Sequence, residues 1–180
     1  MKETTLSRKE KITKVALSLF ATKGYVDTST KEIAMEAGVS EALIFKHFGS
    51  KDALLAYIIK SGYRRVVAQH RGMMTYKSPK EFLKNMIFLP NKLVADEPLF
   101  WKLQQRLSHN IFSRQQHEQF MKPVQPILVR AFSELGYENP ELEAQYLLLI
   151  IDMLWKREAG GDIDNGKELA LLLGKKYNLW

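Results

Sequence analysis

The chain has 180 residues, of which 46% are hydrophobic and 26% charged, so it can bury a core and is too apolar for a disordered chain. It contains no cysteine, which excludes a disulfide framework, a cysteine nucleophile and a thiolate metal site. The formal net charge of +7 favours a polyanionic partner such as nucleic acid. Residues 1–60 carry ten Lys and Arg against seven Asp and Glu, and the remainder carries 17 against 13, so both parts are mildly basic.

Apolar residues recur with helical spacing through most of the chain, and no segment alternates as a half-buried strand would. The predicted helices of the first part cover residues 8–23, 29–37, 40–47 and 51–71. Ser29, Ser40 and Ser50 are predicted N-caps, and Ser29 with Glu32 has the spacing of a capping box.

Proline and glycine divide the rest of the chain. Residues 72–78 are expected to form a loop, and a segment over 114–135 is expected to kink or split at Pro123 and Pro126. The remaining predicted helices start near Ser78, Asp96, Asn139 and Asp164. The fold class is therefore all-α, with about nine helices.

Residues 29–48 have the spacing of a helix-turn-helix. Ala34 is small enough for the two short helices to cross closely, and Gly38, four residues later, accepts the backbone conformation of a tight turn. The predicted mini-core consists of Ile33, Ala37, Val39, Ile44 and Phe48. The helix after Ser40 would then lie exposed, ready to enter a major groove. The alternative, a helical hairpin in an ordinary bundle, is disfavoured because helices of eight residues bury little.

The stretch from Ser29 to Ser40, STKEIAMEAGVS, followed by LIFKHFGSK from Leu43 to Lys51, resembles the N-terminal domain of TetR-family transcriptional regulators. The similarity extends from about Arg8 to Tyr57. It implies a homodimer that binds a palindromic operator, most often as a repressor, and that responds to a small molecule. It also implies a three-helix DNA-binding domain over 1–50, a linking helix over 51–71, and a ligand-binding and dimerisation domain over 72–180.

The candidate DNA contacts divide into phosphate and base contacts. The start of the second helix, where backbone N–H groups and the dipole attract an anion, carries Thr28, Ser29, Thr30 and Lys31. Lys51 matches the family's lysine that grips the DNA backbone. Ser40 is first a cap, and His47 can donate to a phosphate.

The candidate base-reading residues are Glu41, Ala42, Leu43 and Lys46. Lys46 can donate to guanine, and Ala42 or Leu43 can pack on a thymine methyl, whereas Glu41 must accept from cytosine or face solvent. Phe45 replaces the family's usual tyrosine, so it offers packing or methyl contact without a hydroxyl.

The second half carries the expected pairing and sensing functions. Nearly every residue from Tyr146 to Trp155 is apolar, and 169–173 adds a second apolar helix, so a homodimer through the C-terminal helices is expected. Asp152 needs a partner, which Lys156 can supply at i+4. The candidate pocket residues are Trp101, Gln104, His109 and Phe120, for a hydrophobic or aromatic ligand, although such residues are often simply core.

Other functions have less support. No two of the four histidines are three or four residues apart, and neither a phosphate-binding glycine loop nor a nucleophile elbow occurs, so we expect no enzyme, cofactor or metal. Met1 to Thr5 hold no apolar signal core, no run of 18 apolar residues exists, and no long basic amphipathic helix occurs, so a cytoplasmic protein without a membrane partner is expected. The remaining alternative is a DNA-bound structural or scaffolding protein of the same fold without an effector.

Overall fold

The computed structural model describes residues 6–180; the first five residues, which bear the prediction of no signal sequence, lie outside this range. The described residues form ten α-helices and no strand. The helices are α1 (Arg8–Thr22), α2 (Thr30–Ala37), α3 (Glu41–Phe48), α4 (Lys51–Met74), α5 (Pro79–Asp96), α6 (Pro98–Arg106), α7 (Ile111–Met121), α8 (Val124–Glu134), α9 (Pro140–Gly160) and α10 (Gly166–Lys176). The predicted all-α class is confirmed, and the extra helix arises because the segment around Pro123 splits into α7 and α8.

The first three helices form a small unit around a shared core. Ile12, Ala16 and Phe20 of α1 are fully buried, as are Ile33 of α2 and Ile44 of α3. Helix α1 begins with a reciprocal capping box in which Ser7 and Glu10 bond each other's backbone N–H groups. A small number of apolar side chains from each of the three helices therefore forms the core that holds this unit together.

Helix α4 continues from this unit into the larger body. It spans 24 residues, about 36 Å, and passes through Gly72, so the loop expected over 72–78 begins only at Thr75. The extension contains Met73 and Met74, which are partly buried against the core, and this packing outweighs the cost of about 1 kcal/mol for a glycine in a helix.

The body is built around α5 and α9, which pack against each other and against α6 and α8, while α10 lies on α5. Trp101 of α6 and Trp155 of α9 meet edge to face at 5.1 Å in its core. The last helix starts near the predicted position, at Gly166, but Asp164 is not its N-cap: that residue is Asn165, which makes no side-chain capping bond. Among the described residues, no helix is both long enough and apolar enough to cross a membrane.

Helix α6 also packs along α1, so the body contacts the N-terminal unit directly. Nη2 of Arg106, at the end of α6, donates to the carbonyl oxygen of Thr22 at 3.0 Å. Arg65 of α4 holds the start of α6 through two bonds to the carboxylate of Glu97. A displacement of α6 would therefore also displace the end of α1.

Candidate nucleic-acid interface and ligand cavity

The turn between α2 and α3 is formed by short-range hydrogen bonds and one left-handed residue. Oγ of Ser29 accepts from the N–H of Glu32, and Oγ of Ser40 accepts from that of Leu43. Gly38 adopts φ +64°, the left-handed region that glycine occupies without strain. The reciprocal half of the capping box predicted at Ser29 is absent, because the Glu32 carboxylate pairs with Lys23 at 2.7 Å instead.

Helix α3 presents most of its surface to solvent. Ile44 is its only buried residue, and four of the predicted DNA contacts are exposed together: Ala42, Phe45, Lys46 and His47. Leu43 is half-buried against the core, which limits its reach. The exposed face combines a cation, an imidazole and an aromatic ring, groups suited to contacts in a major groove.

Glu41 has a contact that the sequence does not reveal. Its Oε1 accepts a hydrogen bond from the hydroxyl of Thr30 at the start of α2. Both residues are half-buried, so this bond joins the first turns of α2 and α3. In the free protein Glu41 and Thr30 therefore position the two helices on each other, in contrast to the outward roles expected for them.

Two other predicted phosphate contacts are also engaged within the protein. Thr28 is only 1% exposed and donates to the carbonyl oxygen of Gly24, so its hydroxyl does not face a DNA backbone. Nζ of Lys51 donates to the carbonyl oxygen of Thr28 at 2.6 Å and lies over the ring of Tyr25. Lys31 is exposed, and Ser29 and Ser40 are exposed caps. Lys31 is thus the exposed cation at the start of α2, whereas the Lys51 ammonium is bonded within the protein.

An apolar cavity of about 40 Å³ lies inside the body. Its lining residues are Met74, Met86, Leu89, Pro90, Leu93, Trp101, His117, Phe120, Met121, Val124, Ile151 and Trp155. Two predicted pocket residues, Trp101 and Phe120, are among them, and Gln104 is buried nearby. His109 is exposed beyond the end of α6 and is not part of this lining. The histidine that lines the cavity is His117, which is not among the predicted pocket residues.

A chain of polar side chains crosses the body beside this cavity. Oε1 of Gln104 lies 2.9 Å from Oγ of Ser113 and 3.1 Å from the hydroxyl of Tyr63, which is also 3.1 Å from Nδ1 of His117. Nε2 of His117 lies 3.4 Å from Oδ1 of Asp152. The predicted partner of Asp152 is confirmed, since Nζ of Lys156 donates to it at 2.6 Å.

The charge of Asp152 is stabilised within this chain. Burial alone would raise its pKa, but hydrogen bonds and charge from His117 and Lys156 lower the pKa from 3.8 to about 2. Burial, followed by the charge of Asp152, raises the pKa of Tyr63, so its hydroxyl stays neutral. Among the described residues, Nε1 of Trp101 and Nε2 of Gln104 have no hydrogen-bond partner. Within residues 6–180, no group of His, Asp and Glu is arranged to hold a metal ion.

Two open grooves flank α7 next to the cavity. The groove between α4 and α7 has a volume of about 510 Å³ and is lined by Lys60, Tyr63, Arg64, Val67, Gln116, Gln119 and Phe120. The groove between α7 and α9 has a volume of about 580 Å³ and shares His117, Met121, Ile151 and Trp155 with the cavity wall. Helix α7 separates the two grooves, and Ser113 is its only fully buried residue.

Comparisons with known proteins agree on one family. The model for bacterial regulatory proteins of the tetR family matches residues 12–58. YerO of Bacillus subtilis, described as an uncharacterized HTH-type transcriptional regulator, is 38% identical over 84 residues, which cover 44% of this chain and 29% of YerO. The matched segment thus spans less than a third of that relative.

Solved structures show a similar fold over nearly the whole chain. The fatty acid degradation regulator FadR from Bacillus halodurans has a TM-score of 0.73 at 21% identity, covering 96% of this chain and 97% of that one. FadR from Bacillus subtilis, solved in complex with stearoyl-CoA, has a TM-score of 0.69 at 21% identity, covering 91% and 96%.

Proposed function

Because residues 12–58 make this chain a member of the TetR family of bacterial regulatory proteins, we propose that it is a ligand-responsive transcriptional regulator that acts as a repressor. It binds a palindromic operator as a homodimer, with α3 of each subunit in a major groove. The observation that carries the proposal is the outward face of α3, with Ala42, Phe45, Lys46 and His47 exposed above a turn capped by Ser40.

The exposed apolar surface of α9 and α10 supports the homodimer. Leu142, Tyr146, Leu149 and Met153 form one stripe along α9, and each is more than half exposed. Leu171 and Leu172 of α10 add to the same kind of surface. Large exposed apolar side chains in helical register are typical of a protein interface. We propose that this stripe packs against the same helices of a second copy.

The cavity and its coupling to α1 support a ligand response. Trp101 of α6 lines the cavity, and Arg106 of the same helix bonds the carbonyl oxygen of Thr22. A ligand that displaces α6 would therefore shift α1 and the helix-turn-helix with it. The stearoyl-CoA bound by FadR of Bacillus subtilis is a precedent for a small-molecule effector in this fold.

Selection of bound duplexes from a randomised DNA pool tests the proposal, combined with measurement of molar mass in solution. We expect enrichment of an inverted repeat and the mass of a dimer. Leu149→Glu places charges in the proposed interface and should give monomers with weaker operator binding, whereas Lys80→Glu, at an exposed position of α5, should stay dimeric. A monomeric protein that enriches no sequence would contradict the proposal.

A further inference from the structure

We propose that His117 is the proton-binding end of a hydrogen-bond relay that carries a change in solvent pH to α6, the helix that packs along α1. Gain or loss of one proton on this imidazole reverses the hydrogen bonds through Tyr63 and turns the side-chain amide of Gln104. The inference rests on the proposed function, because it concerns how the body regulates the DNA-binding unit. It is carried by the chain of polar side chains beside the cavity.

His117 lies where a proton from solvent can reach it. Its side chain is 20% exposed, and it lines the open groove between α7 and α9. Nδ1 lies 3.1 Å from the hydroxyl of Tyr63, and Nε2 lies 3.4 Å from Oδ1 of Asp152. Histidine is the side chain whose charge ordinarily changes between about pH 5 and 8. This ring therefore joins the solvent-filled groove to the buried part of the polar chain.

The groups on either side of the ring keep their own protonation states over that pH range. Burial alone would raise the pKa of Asp152, but hydrogen bonds from His117 and Lys156 lower it to about 2, so the carboxylate stays ionised. Burial, followed by the charge of Asp152, raises the pKa of Tyr63, so the phenol keeps its hydrogen. Asp152 therefore only accepts hydrogen bonds, and Tyr63 has one hydrogen to donate. The proton that can change is the one on His117.

The observed arrangement is the one that a charged imidazolium satisfies. Oε1 of Gln104 accepts from Oγ of Ser113 at 2.9 Å and from the hydroxyl of Tyr63 at 3.1 Å. Because Tyr63 donates its only hydrogen there, Nδ1 of His117 must donate to the Tyr63 oxygen. Nε2 must also carry a hydrogen, because a bare nitrogen would direct its lone pair at the Asp152 carboxylate. Both ring nitrogens are then donors.

Loss of a proton from the ring reverses this chain of bonds. A neutral His117 that keeps its hydrogen on Nε2, toward Asp152, leaves Nδ1 as an acceptor, and Tyr63 must then donate to it. The Tyr63 oxygen and Oγ of Ser113 can in turn accept from the Gln104 amide once it has rotated by half a turn. Within residues 6–180, Nε2 of Gln104 has no hydrogen-bond partner to lose in that rotation. The two protonation states of His117 thus select two orientations of this amide.

Asp152 is the carboxylate placed to respond to charge on His117. The charged residues that line the same groove are Arg114, Glu118, Asp152 and Lys156. Lys156 bonds Asp152 at 2.6 Å, and Arg114 lies 3.8 Å from Glu118 on the same helix as His117. Among the described residues, α4, α5, α6 and α8 contribute only uncharged side chains to the groove and the cavity that His117 lines.

The other end of the relay lies next to the contact between the body and the DNA-binding unit. Gln104 precedes Arg106 by two residues in the last turn of α6, a helix of nine residues. Nη2 of Arg106 donates to the carbonyl oxygen of Thr22 at the end of α1. A change in the bonds that hold Gln104 therefore acts on the end of α6 that meets α1. Through this contact, protonation of His117 would alter the position of the DNA-binding unit.

Nuclear magnetic resonance of the full chain, with labelled histidine and glutamine, tests the relay. The imidazole signals of the four histidines and the side-chain amide signals of Gln104 are followed from about pH 8 to about pH 5.5. We expect the Gln104 amide to change with the midpoint of His117 and with that of no other histidine. His70 is the strictest comparison, because it is buried with Nε2 3.4 Å from Oδ2 of Asp96.

A variant that removes one hydroxyl separates the relay from a local effect. Tyr63→Phe keeps the aromatic ring in the core, so His117 should still titrate while the Gln104 amide no longer follows it. The matched control is Tyr57→Phe, the same change on the same helix at a residue outside the relay, which should leave the response of Gln104 intact. Thermal unfolding of both variants checks that the fold is retained.

Operator binding tests whether the relay reaches the DNA-binding unit. Fluorescence anisotropy gives the Kd for a selected operator at about pH 8 and about pH 6. The ratio of the two Kd values in the unaltered protein should differ by about fivefold from the ratio in Tyr63→Phe. Tyr57→Phe should keep the ratio of the unaltered protein. His47 and His70 are present in all three proteins, so their own protonation cancels in the comparison.

The outcomes distinguish this inference from the proposed function. The inference is wrong if the Gln104 amide does not follow His117, if it follows His117 equally in Tyr63→Phe, or if Tyr63→Phe leaves the ratio of Kd values unchanged. Operator selection at a single pH can still succeed in each of these cases. Failure to enrich any operator would overturn the proposed function instead, and the resonance titration would still decide whether His117 and Gln104 are connected.

Discussion

The helices of the first half and those of the second half begin in different ways. Each of α1 to α5 has a serine N-cap whose hydroxyl accepts the backbone N–H three residues on; these serines are Ser7, Ser29, Ser40, Ser50 and Ser78. Of α6 to α10, only α7 has a side-chain cap, Asn110. The starts of the N-terminal helices are thus encoded locally, while most helix starts in the body depend on proline and on packing.

This difference parallels the two candidate sites. The exposed face of α3 belongs to a single capped helix of eight residues, so its position follows from nearby hydrogen bonds. The cavity takes its lining from α4 to α9, from Met74 to Trp155. Small sequence changes should therefore act on the first site through caps and on the second through packing between helices.

The largest effect should come from Gly62→Ala, because packing disfavours alanine there although alanine is the better helix former. A methyl group there would overlap the ring of Phe100 on α6, so we expect the free energy of unfolding to fall by about 3 kcal/mol. Gly72→Ala in the same helix meets nothing within 4 Å and should raise it by about 0.5–1 kcal/mol. Urea unfolding measures both. Equal effects at the two glycines would show that α4 does not pack on α6 as described.

A change at Lys46 should alter sequence preference rather than general affinity. If Lys46 reads a base edge, Lys46→Ala loses about 1–3 kcal/mol of discrimination at one operator position and reorders the binding of operator variants. Lys51→Ala should weaken binding to all sequences alike, since Lys51 holds the carbonyl oxygen of Thr28 before α2. Fluorescence anisotropy with single-substituted operators measures the ranking. An unchanged order for Lys46→Ala would exclude it as a reader.

The comparison of caps predicts a smaller, asymmetric effect. Ser40→Ala removes the acceptor for the N–H of Leu43 and should lower the free energy of unfolding by about 1 kcal/mol. Asn165→Ala, at the start of α10, removes no capping bond and should change it by less than about 0.5 kcal/mol. Chemical denaturation of the two variants side by side checks the contrast. A larger loss at Asn165 than at Ser40 would contradict it.

The smallest effect should depend on pH. The pKa of Asp152 is lowered from 3.8 to about 2, because bonds from His117 and Lys156 outweigh the opposing effect of burial. Its ionised form therefore stabilises the fold above the unfolded-state pKa, and this contribution disappears as the pH falls through the folded-state value. Asp152→Asn should lower the free energy of unfolding at neutral pH by less than about 1 kcal/mol after solvent screening.

The control and the measurement for Asp152 follow from that sign. The difference between Asp152→Asn and the unaltered protein in thermal or urea unfolding should stay constant from neutral pH down toward the unfolded-state pKa of 3.8. It should then shrink as the pH falls toward the folded-state pKa of about 2. Asp164→Asn, at an exposed position, should show no such trend. A difference that grows on acidification would mean that Asp152 is not stabilised in its charged form.

Much of the N-terminal unit was predictable, while its side-chain roles were only partly so. The serine caps at 29, 40 and 50 and the turn at Gly38 are confirmed. The inward rotation of Thr28 and the bond from Thr30 to Glu41 were missed, because each depends on contacts with another element. In the body, the predicted pocket residues Trp101 and Phe120 line the cavity, but its histidine is His117 and the predicted His109 is exposed, since helical spacing alone does not tell which histidine faces inward.

The amino-acid order alone determined the helical class and the caps and turn of the N-terminal unit, because these depend on hydrogen bonds and backbone preferences within about four residues. Only the tertiary structure decided that Tyr63 meets Gln104, 41 positions away, that Arg106 reaches Thr22, 84 positions away, and that Arg65 pairs with Glu97, 32 positions away. Such contacts depend on how helices cross, and many crossings satisfy the same apolar stripe.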